Sequence, residues 1–226
     1  MLLYKTKKYV IATWSGGKDS CLATYRAMQE GCRVAYLANT VSRQYKRVGF
    51  HGTTDILIQK QAELAGISLL QQETTAEHYF EEFVDNLQRG ITGDVVGVVF
   101  GDIHLDECFD RAQTMCRNLG VVALEPLWHR KQRDILEEFI RLGFEAVIVS
   151  TQASLLGKEW IGRKINQSFI RDISELPTID PCGENGEFHT FVTNGPFFRH
   201  KIEILESRPM LRDNFWFLDI QKYRLC

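Results

Sequence analysis

Apolar positions along this chain follow two alternating rhythms. Short unbroken runs at Tyr9–Trp14, Arg33–Ala38, Ile67–Leu70, Val95–Phe100, Val121–Leu124 and Ala146–Val149 read as buried strands. Between them, apolar residues recur at helical spacing. The helical stretches include Cys21 to Met28, residues 53–65 with Leu57, Gln61, Leu64 and Ala65 on one face, and Tyr79, Phe80, Phe83, Val84 and Leu87. Residues 106–119 and the set Ile135, Leu136, Phe139, Ile140 and Leu142 continue the series. Gly66, Gly90, Gly120 and Gly143 stand where these helices stop. Strand–helix alternation of this kind implies right-handed crossovers and an α/β, doubly wound, mostly parallel sheet. Ligands bind such sheets beyond the carboxyl ends of the strands. That edge carries the turn Ser15–Ser20 and the loops after Ala38, Phe100 and Val149.

From about Thr151 the rhythm breaks. Pro177, Pro181, Gly183, Gly186, Gly195 and Pro196 punctuate the rest, and Phe188, Thr190 and Val192 alternate as in a strand. The expected division is a nucleotide-binding domain over residues 1–150 and a smaller α+β, substrate-binding appendage over residues 151–226.

Composition narrows the class without choosing a function. An apolar fraction of 44% and a charged fraction of 25% are those of an ordinary globular protein. The net charge of -2 opposes a protein-wide grip on nucleic acid. No apolar run approaches the ~20 residues that span a bilayer. The start, Met1 to Tyr4 followed by Lys5, Lys7 and Lys8, has no signal-peptide pattern. Six scattered cysteines without a C-x-x-C pair fit reduced thiols in the cytoplasm. His104, Cys108 and Cys116 lie at i, i+4 and i+12, so the first two suit a helical metal site, although incidental thiols are the commoner reading; a homo-oligomer is compatible with the sequence.

The chemistry is concentrated in Ser15-Gly16-Gly17-Lys18-Asp19-Ser20, between the first strand and the first helix. A glycine-rich turn at a helix start offers backbone N–H groups and a partial positive charge to an anion, which makes phosphate the expected occupant. The spacing fits neither a Walker A loop, which needs Ser or Thr directly after lysine, nor a G-x-G-x-x-G fingerprint. Near the other end of the chain, Glu184 and Glu187 flank the turn dipeptide Asn185-Gly186. A tight turn can bring two carboxylates together to hold Mg²⁺ or ammonium, or to take a proton from an attacking amine. Gly101-Asp102 closes the most apolar strand and suits contact with a nucleotide. His51 lies in a loop with Arg43, Lys46 and Arg47, which can grip phosphate or simply face solvent.

The hexapeptide resembles the PP-loop of the ATP pyrophosphatases, the enzymes that cleave ATP between its α and β phosphates. Five further segments occur in order: Gly101-Asp102-Ile103, Pro126-Leu127-Trp128, Gly143 to Ala146, Gly162-Arg163, and Pro181 to Val192. Together with the loop they resemble the diphthine–ammonia ligase family, from about residue 8 to about 198. The resemblance implies a PP-loop fold and ATP-dependent amidation of a carboxylate by ammonia, releasing AMP and pyrophosphate. It implies that Ser15, Gly16, Gly17, Asp19 and Ser20 cradle the pyrophosphate, with Lys18 near its charge and Mg²⁺ assisting. Gly101 and Asp102 then join the nucleotide site, and Lys18, Asp19, Glu184 and Glu187 are the catalytic candidates. His51, Arg163 and Thr190 fall to substrate binding. In family members the acceptor carboxylate belongs to a modified histidine of elongation factor 2. The family's acidic turn usually has glycine at position 185 and glutamate at 189, where this chain has Asn185 and His189. Over residues 199–226 the resemblance offers no motif that can be named. Two other readings use the same loop: an enzyme that adenylates a tRNA base, and a nucleotide-binding regulator without chemistry.

Overall fold

The computed structural model describes residues 8–226, so the stretch from Met1 to Lys7, read above for a signal peptide, lies outside the described residues. Strands β1 (Tyr9–Thr13), β2 (Arg33–Ser42), β3 (Ser68–Thr74), β4 (Val95–Val99) and β5 (Val122–Leu124) form a parallel sheet in the order β3-β2-β1-β4-β5. The chain runs one way from β1 to β3, then returns to add β4 and β5 on the other side of β1. That reversal makes the β1/β4 boundary the switch point of the sheet.

Helices cover both faces. On one side, α1 (Lys18–Gln29) seats Cys21, Leu22 and Ala23 in a core shared with Val10, Ala12 and Val99. On the other side, α3 (Tyr79–Gly90) and α4 (Asp106–Asn118) bury Leu87, Ala112, Met115 and Cys116 among Ile11, Ala38 and Val98. Gly90 permits the approach of α3: a Cβ there would lie 2.5 Å from Leu70 Cδ1 and 2.8 Å from Ile11 Cδ1. Helix α2 (Asp55–Ala65) begins at Thr54, whose Oγ1 accepts from Leu57 N at 3.4 Å, and ends at Gly66 in the left-handed region at φ 67°.

One sequence expectation fails at β6 (Glu145–Gln152). It does not extend the parallel sheet. It pairs antiparallel with β7 (Phe188–Asn194) and β9 (Phe215–Leu225) in a second sheet ordered β7-β6-β9-β8, where β8 is Ile202–Arg212. The loop after Val149 is therefore not at the carboxyl edge of the first sheet. A strand buried on both faces has the same apolar run in either kind of sheet, so its sequence could not tell. Helix α5 (Gln132–Arg141) precedes β6, and α6 (Gln167–Ser174) follows it. The sheets share a core: Ala146, Ile148, Phe188 and Val192 pack in the same cluster as Val10 and Leu22. From α2, Leu57 and Leu64 reach the second sheet at Val147, Val149, Phe191 and Leu218. Among the described residues, no helix is long and apolar enough to cross a membrane.

Candidate functional site

At the switch point a cavity of about 780 Å³ opens beyond β1, β2 and β4. Ser15, Asp19 and Ser20 of the loop, Gly101 and Asp102 after β4, and His51 and His189 all line it. Of the sequence-named residues, these are the ones the fold brings to one opening.

The loop has two sides, and they differ from the sequence picture. Its cavity side is Ser15, Asp19 and Ser20. Its other side, Gly16, Gly17 and Lys18, faces protein. Gly16 adopts φ 79°, and a Cβ there would lie 2.5 Å from Gln61 Oε1 and 2.6 Å from Ile58 Cδ1. A Cβ on Gly17 would lie 2.8 Å from His51 Cε1 and 3.1 Å from the Thr190 carbonyl oxygen. The glycines are needed so that α2, the His51 loop and β7 can close on the turn. Two of the N–H groups expected to face an anion are already satisfied: Gly17 N donates to Ser15 Oγ at 3.2 Å, and Lys18 N to Thr190 Oγ1 at 2.9 Å. Thr190, expected to bind substrate, instead braces the start of α1.

Lys18 likewise turns inward. Its side chain is 3% exposed, and Nζ donates to Asp19 Oδ2 at 2.7 Å and to the Cys182 carbonyl. Burial alone would lower its pKa, but the attraction of Asp19 and smaller contributions from nearby groups outweigh it and carry it to about 12. It remains a fixed cation beneath the loop. Asp19 uses one oxygen on that cation, while its Oδ1 is buried with no partner. Burial holds the Asp19 pKa above the ordinary carboxylate value, against the pull of Lys18.

Two more carboxylates share this field. Burial raises Asp102, with Asp19 adding repulsion. Burial also raises Glu184 to about 7, although its Oε1 accepts a hydrogen bond from Ile103 N at 2.9 Å. Gly101 sets the spacing, since a Cβ there would lie 2.9 Å from Asp19 C and 3.0 Å from Ser20 N. Among the described residues no three His, Cys, Asp or Glu side chains converge as a ready metal site.

The paired-carboxylate expectation separates on the structure. Glu187 is 2% exposed, and its oxygens accept from Asp180 N at 2.8 Å, Asn185 N at 3.0 Å and Asn185 Nδ2 at 3.3 Å. It fastens the 180–187 turn from inside and has little capacity left for substrate. Glu184 is the member that faces the Asp19–Asp102 field. Arg163 stands elsewhere: it pairs with Asp172 of α6, and its guanidinium lies 4.6 Å from the Trp160 ring centroid. The basic loop is already neutralised, with Arg43 on Glu82 at 2.7 Å, Lys46 on Glu73 and Arg47 on Asp219 at 2.7 Å. Cys182 is buried, and burial pushes its thiol pKa far up, which removes it as a nucleophile.

His51 donates from Nδ1 to the Thr190 carbonyl oxygen at 3.0 Å, because a carbonyl can only accept. Its neutral ring therefore presents Nε2 as a bare acceptor. Burial, then the Lys18 charge, lowers its pKa to about 4 in spite of that hydrogen bond. The His189 ring lies 4.6 Å away and is driven well below the imidazole range by burial, His51 and Lys18.

One residue that holds the site was read only as part of a helix face. Gln61 is fully buried; it donates to the Gly16 and Val192 carbonyls at 3.0 and 2.7 Å and accepts from Trp14 Nε1 at 3.0 Å. A glutamine on an otherwise apolar face was its signal. Asn39 does similar work, donating to the Trp14 carbonyl at 2.7 Å.

A model of the diphthamide synthase N-terminal domain matches residues 8–123, and one of the C-terminal domain matches residues 131–226. The chain is 28% identical to a rat diphthine–ammonia ligase over 241 aligned residues, which cover 96% of this chain and 90% of the rat protein. Mouse and human proteins of the same name are each 27% identical, covering 96% and 89% of this chain and 90% and 85% of their own. Two adjoining family domains that together span the described fold, loop and acidic turn included, leave one assignment: the chain belongs to the diphthamide synthase family.

Proposed function

We propose that this protein is an ATP-dependent ligase that converts a carboxylate to an amide with ammonia, releasing AMP and pyrophosphate. The carrying observation is the unpartnered, buried Oδ1 of Asp19 on the cavity side of a PP-loop, next to Asp102 and Glu184. Carboxylates this close to a polyphosphate site need a cation between them and the phosphates. Magnesium fits Asp19 and Asp102, since it takes one or two carboxylates and fills its remaining positions with water and phosphate oxygens. When bound, it neutralises phosphate charge as the α–β bond breaks.

The chain's own groups supply the rest. Ser15 and Ser20 line the cavity where the departing pyrophosphate would lie, and their hydroxyls sit 3.2 Å apart. An acceptor carboxylate oxygen attacks the α-phosphorus, giving an acyl adenylate and pyrophosphate. The ammonia lone pair then adds to the acyl carbon, AMP leaves, and nitrogen gives up one proton. Glu184, with a pKa of about 7, is the group poised to take it. The acceptor we assign is the modified histidine of elongation factor 2, and six free cysteines suit a reducing cytoplasm.

The test is incubation with ATP, MgCl₂, ammonium chloride and elongation factor 2 carrying the carboxylate form of that histidine. AMP, pyrophosphate and a new amide are expected in equal amounts. ADP and inorganic phosphate would sink the proposal.

A further inference from the structure

Every basic residue that the sequence offered to an anion here is committed to a protein partner. Lys18 turns inward to Asp19 and the Cys182 carbonyl, and Arg163 pairs with Asp172. Arg43, Lys46 and Arg47 pair with Glu82, Glu73 and Asp219. Among the described residues, one Lys or Arg side chain lines the ATP cavity, and it is Arg111 of α4.

Arg111 stays unpaired although a partner is at hand. Glu107 stands four residues earlier, the order and spacing that favour a helical ion pair. On α5, Arg133 and Glu137 close such a pair at 2.8 Å across the same interval. At Arg111 no ion pair or side-chain hydrogen bond forms among the described residues. Exposure alone would mean only hydration, as for most surface arginines. Its place in the cavity wall means more. Cys108, Ala112 and Met115 line the cavity beside it from the same helix, and none of them competes for an anion. The charge of Arg111 already registers at the site: burial raises the Asp102 pKa, and Arg111 is among the groups that restrain the rise.

The position selects the anion. Arg111, Phe80 and Met115 line both the ATP cavity and an adjoining groove of about 460 Å³ between α3 and α4. The arginine therefore stands where the cavity opens toward solvent. The polyphosphate has other partners, in Ser15, Ser20 and the magnesium proposed for Asp19 and Asp102. The acceptor carboxylate has none, and it enters a cavity whose own carboxylates repel it. A guanidinium fork gives two parallel N–H donors to the two oxygens of a carboxylate, so it orients that group as well as attracting it.

We propose that Arg111 binds the acceptor carboxylate at the mouth of the ATP cavity. The inference rests on the ligase reading above and adds to it the group that recognises the acceptor. Its grip is specific to the substrate: the carboxylate loses its charge on adenylation, and the amide product is neutral.

The experiment uses the full protein and elongation factor 2 in two forms, one with the carboxylate and one with the amide. Binding of each form is measured without ATP, and amidation is followed with ATP, MgCl₂ and ammonium chloride. The parent should bind the carboxylate form about thirtyfold more tightly than the amide form, within the range for a charged hydrogen bond. Arg111→Ala should bind both forms alike. Its KM for the carboxylate form should rise about thirtyfold, while its KM for ATP stays within about twofold of the parent. Arg111→Lys keeps the charge without the fork and should fall between the two. A merely structural role would lower the melting temperature and leave the preference for the carboxylate form unchanged, which would overturn the proposal. A higher KM for ATP with an unchanged acceptor KM would make Arg111 a phosphate ligand and overturn it as well. No AMP and no amide from the parent would instead overturn the ligase reading, and this inference with it.

Discussion

The two sheets present opposite chemistry to one cavity. The parallel sheet contributes carboxylates whose pKa values burial pushes up, Asp19 and Asp102, with Glu184 of the 180–187 turn beside them. The antiparallel sheet and its neighbouring loop contribute imidazoles whose pKa values burial pushes down, His189 and His51. Desolvation has one effect in both places, because it disfavours whichever form is charged. The outcome differs because the carboxylates adjoin one another and the proposed site for a cation and phosphates, whereas the imidazoles have only Lys18 nearby. Lys18 stands between the two sets, held by Asp19 and by the Cys182 carbonyl. Its charge tempers the acids and reinforces the neutrality of the histidines.

The largest expected effect comes from removing that shared cation. Lys18→Met should destabilise the fold by about 3–5 kcal/mol, the range found when one member of a buried ion pair is deleted. Chemical denaturation measures it directly. If Lys18 instead reached out to the phosphates, the variant would keep its stability and lose only affinity for ATP. Equal stability in parent and variant would thus break the comparison between the two sides of the cavity.

A second pair of variants divides the acidic turn. Glu184→Gln should slow amide formation by about a hundredfold, a loss typical of a removed general base. It should also erase a rise in rate with pH centred near 7, the folded pKa of Glu184. Glu187→Gln should act on stability, since three hydrogen bonds end on that carboxylate. The linkage signs differ across the cavity. Glu184 is raised from 4.5 to about 7, so its contribution to stability is complete below 4.5 and lost as pH rises through 7. His51 is lowered from 6.5 to about 4, so its contribution is complete above 6.5 and lost as pH falls through 4. Stability measured against pH in the parent, Glu184→Gln and His51→Phe should show these opposed limbs. A curve that shifts in the same direction for both variants would contradict the assignment.

The sequence made one half of this arrangement readable and concealed the other. Strand–turn–helix repeats reveal a parallel sheet because each strand needs a crossover, and the loop after β1 then falls at the ligand edge. The family motifs named Asp19, Asp102 and Glu184 as site candidates, and their mutual repulsion in the structure shows that the fold brings them near one another. What local pattern could not convey was direction. Lys18 follows two glycines and reads as a phosphate contact, but a carbonyl 164 residues away captures its ammonium group. Glu184 and Glu187 look equivalent until Ile103 N and Asp180 N each claim one of them. The strand at Ala146–Val149 carried no sign of which sheet it would join, and with it went the sequence position of the histidine pair's support. His189 itself was visible only as a departure from the family turn.

The smallest predicted effect tests how the C-terminal strands serve the site. Residues 199–226 had no assigned role, yet β9 holds the His51 loop at two points. Arg47 donates to Asp219 Oδ1 at 2.7 Å and to the Gly52 carbonyl at 2.7 Å, while the Phe217 ring lies against Gly52. Asp219→Asn keeps an acceptor and removes the charge, so it should cost about 1 kcal/mol, less than a charged hydrogen bond lost outright. Because the loop also carries His51 onto the Thr190 carbonyl, a loosened loop should reach the imidazole. The measurement is the His51 ring titration followed by NMR in parent and variant. A pKa that moves up from about 4 toward the ordinary imidazole value would show that β9 keeps the histidine buried. An unchanged titration with an unchanged melting temperature would free the hairpin from any role in the site. The burial of His51 would then rest on other contacts, among them Thr190, Gly17 and the His189 ring.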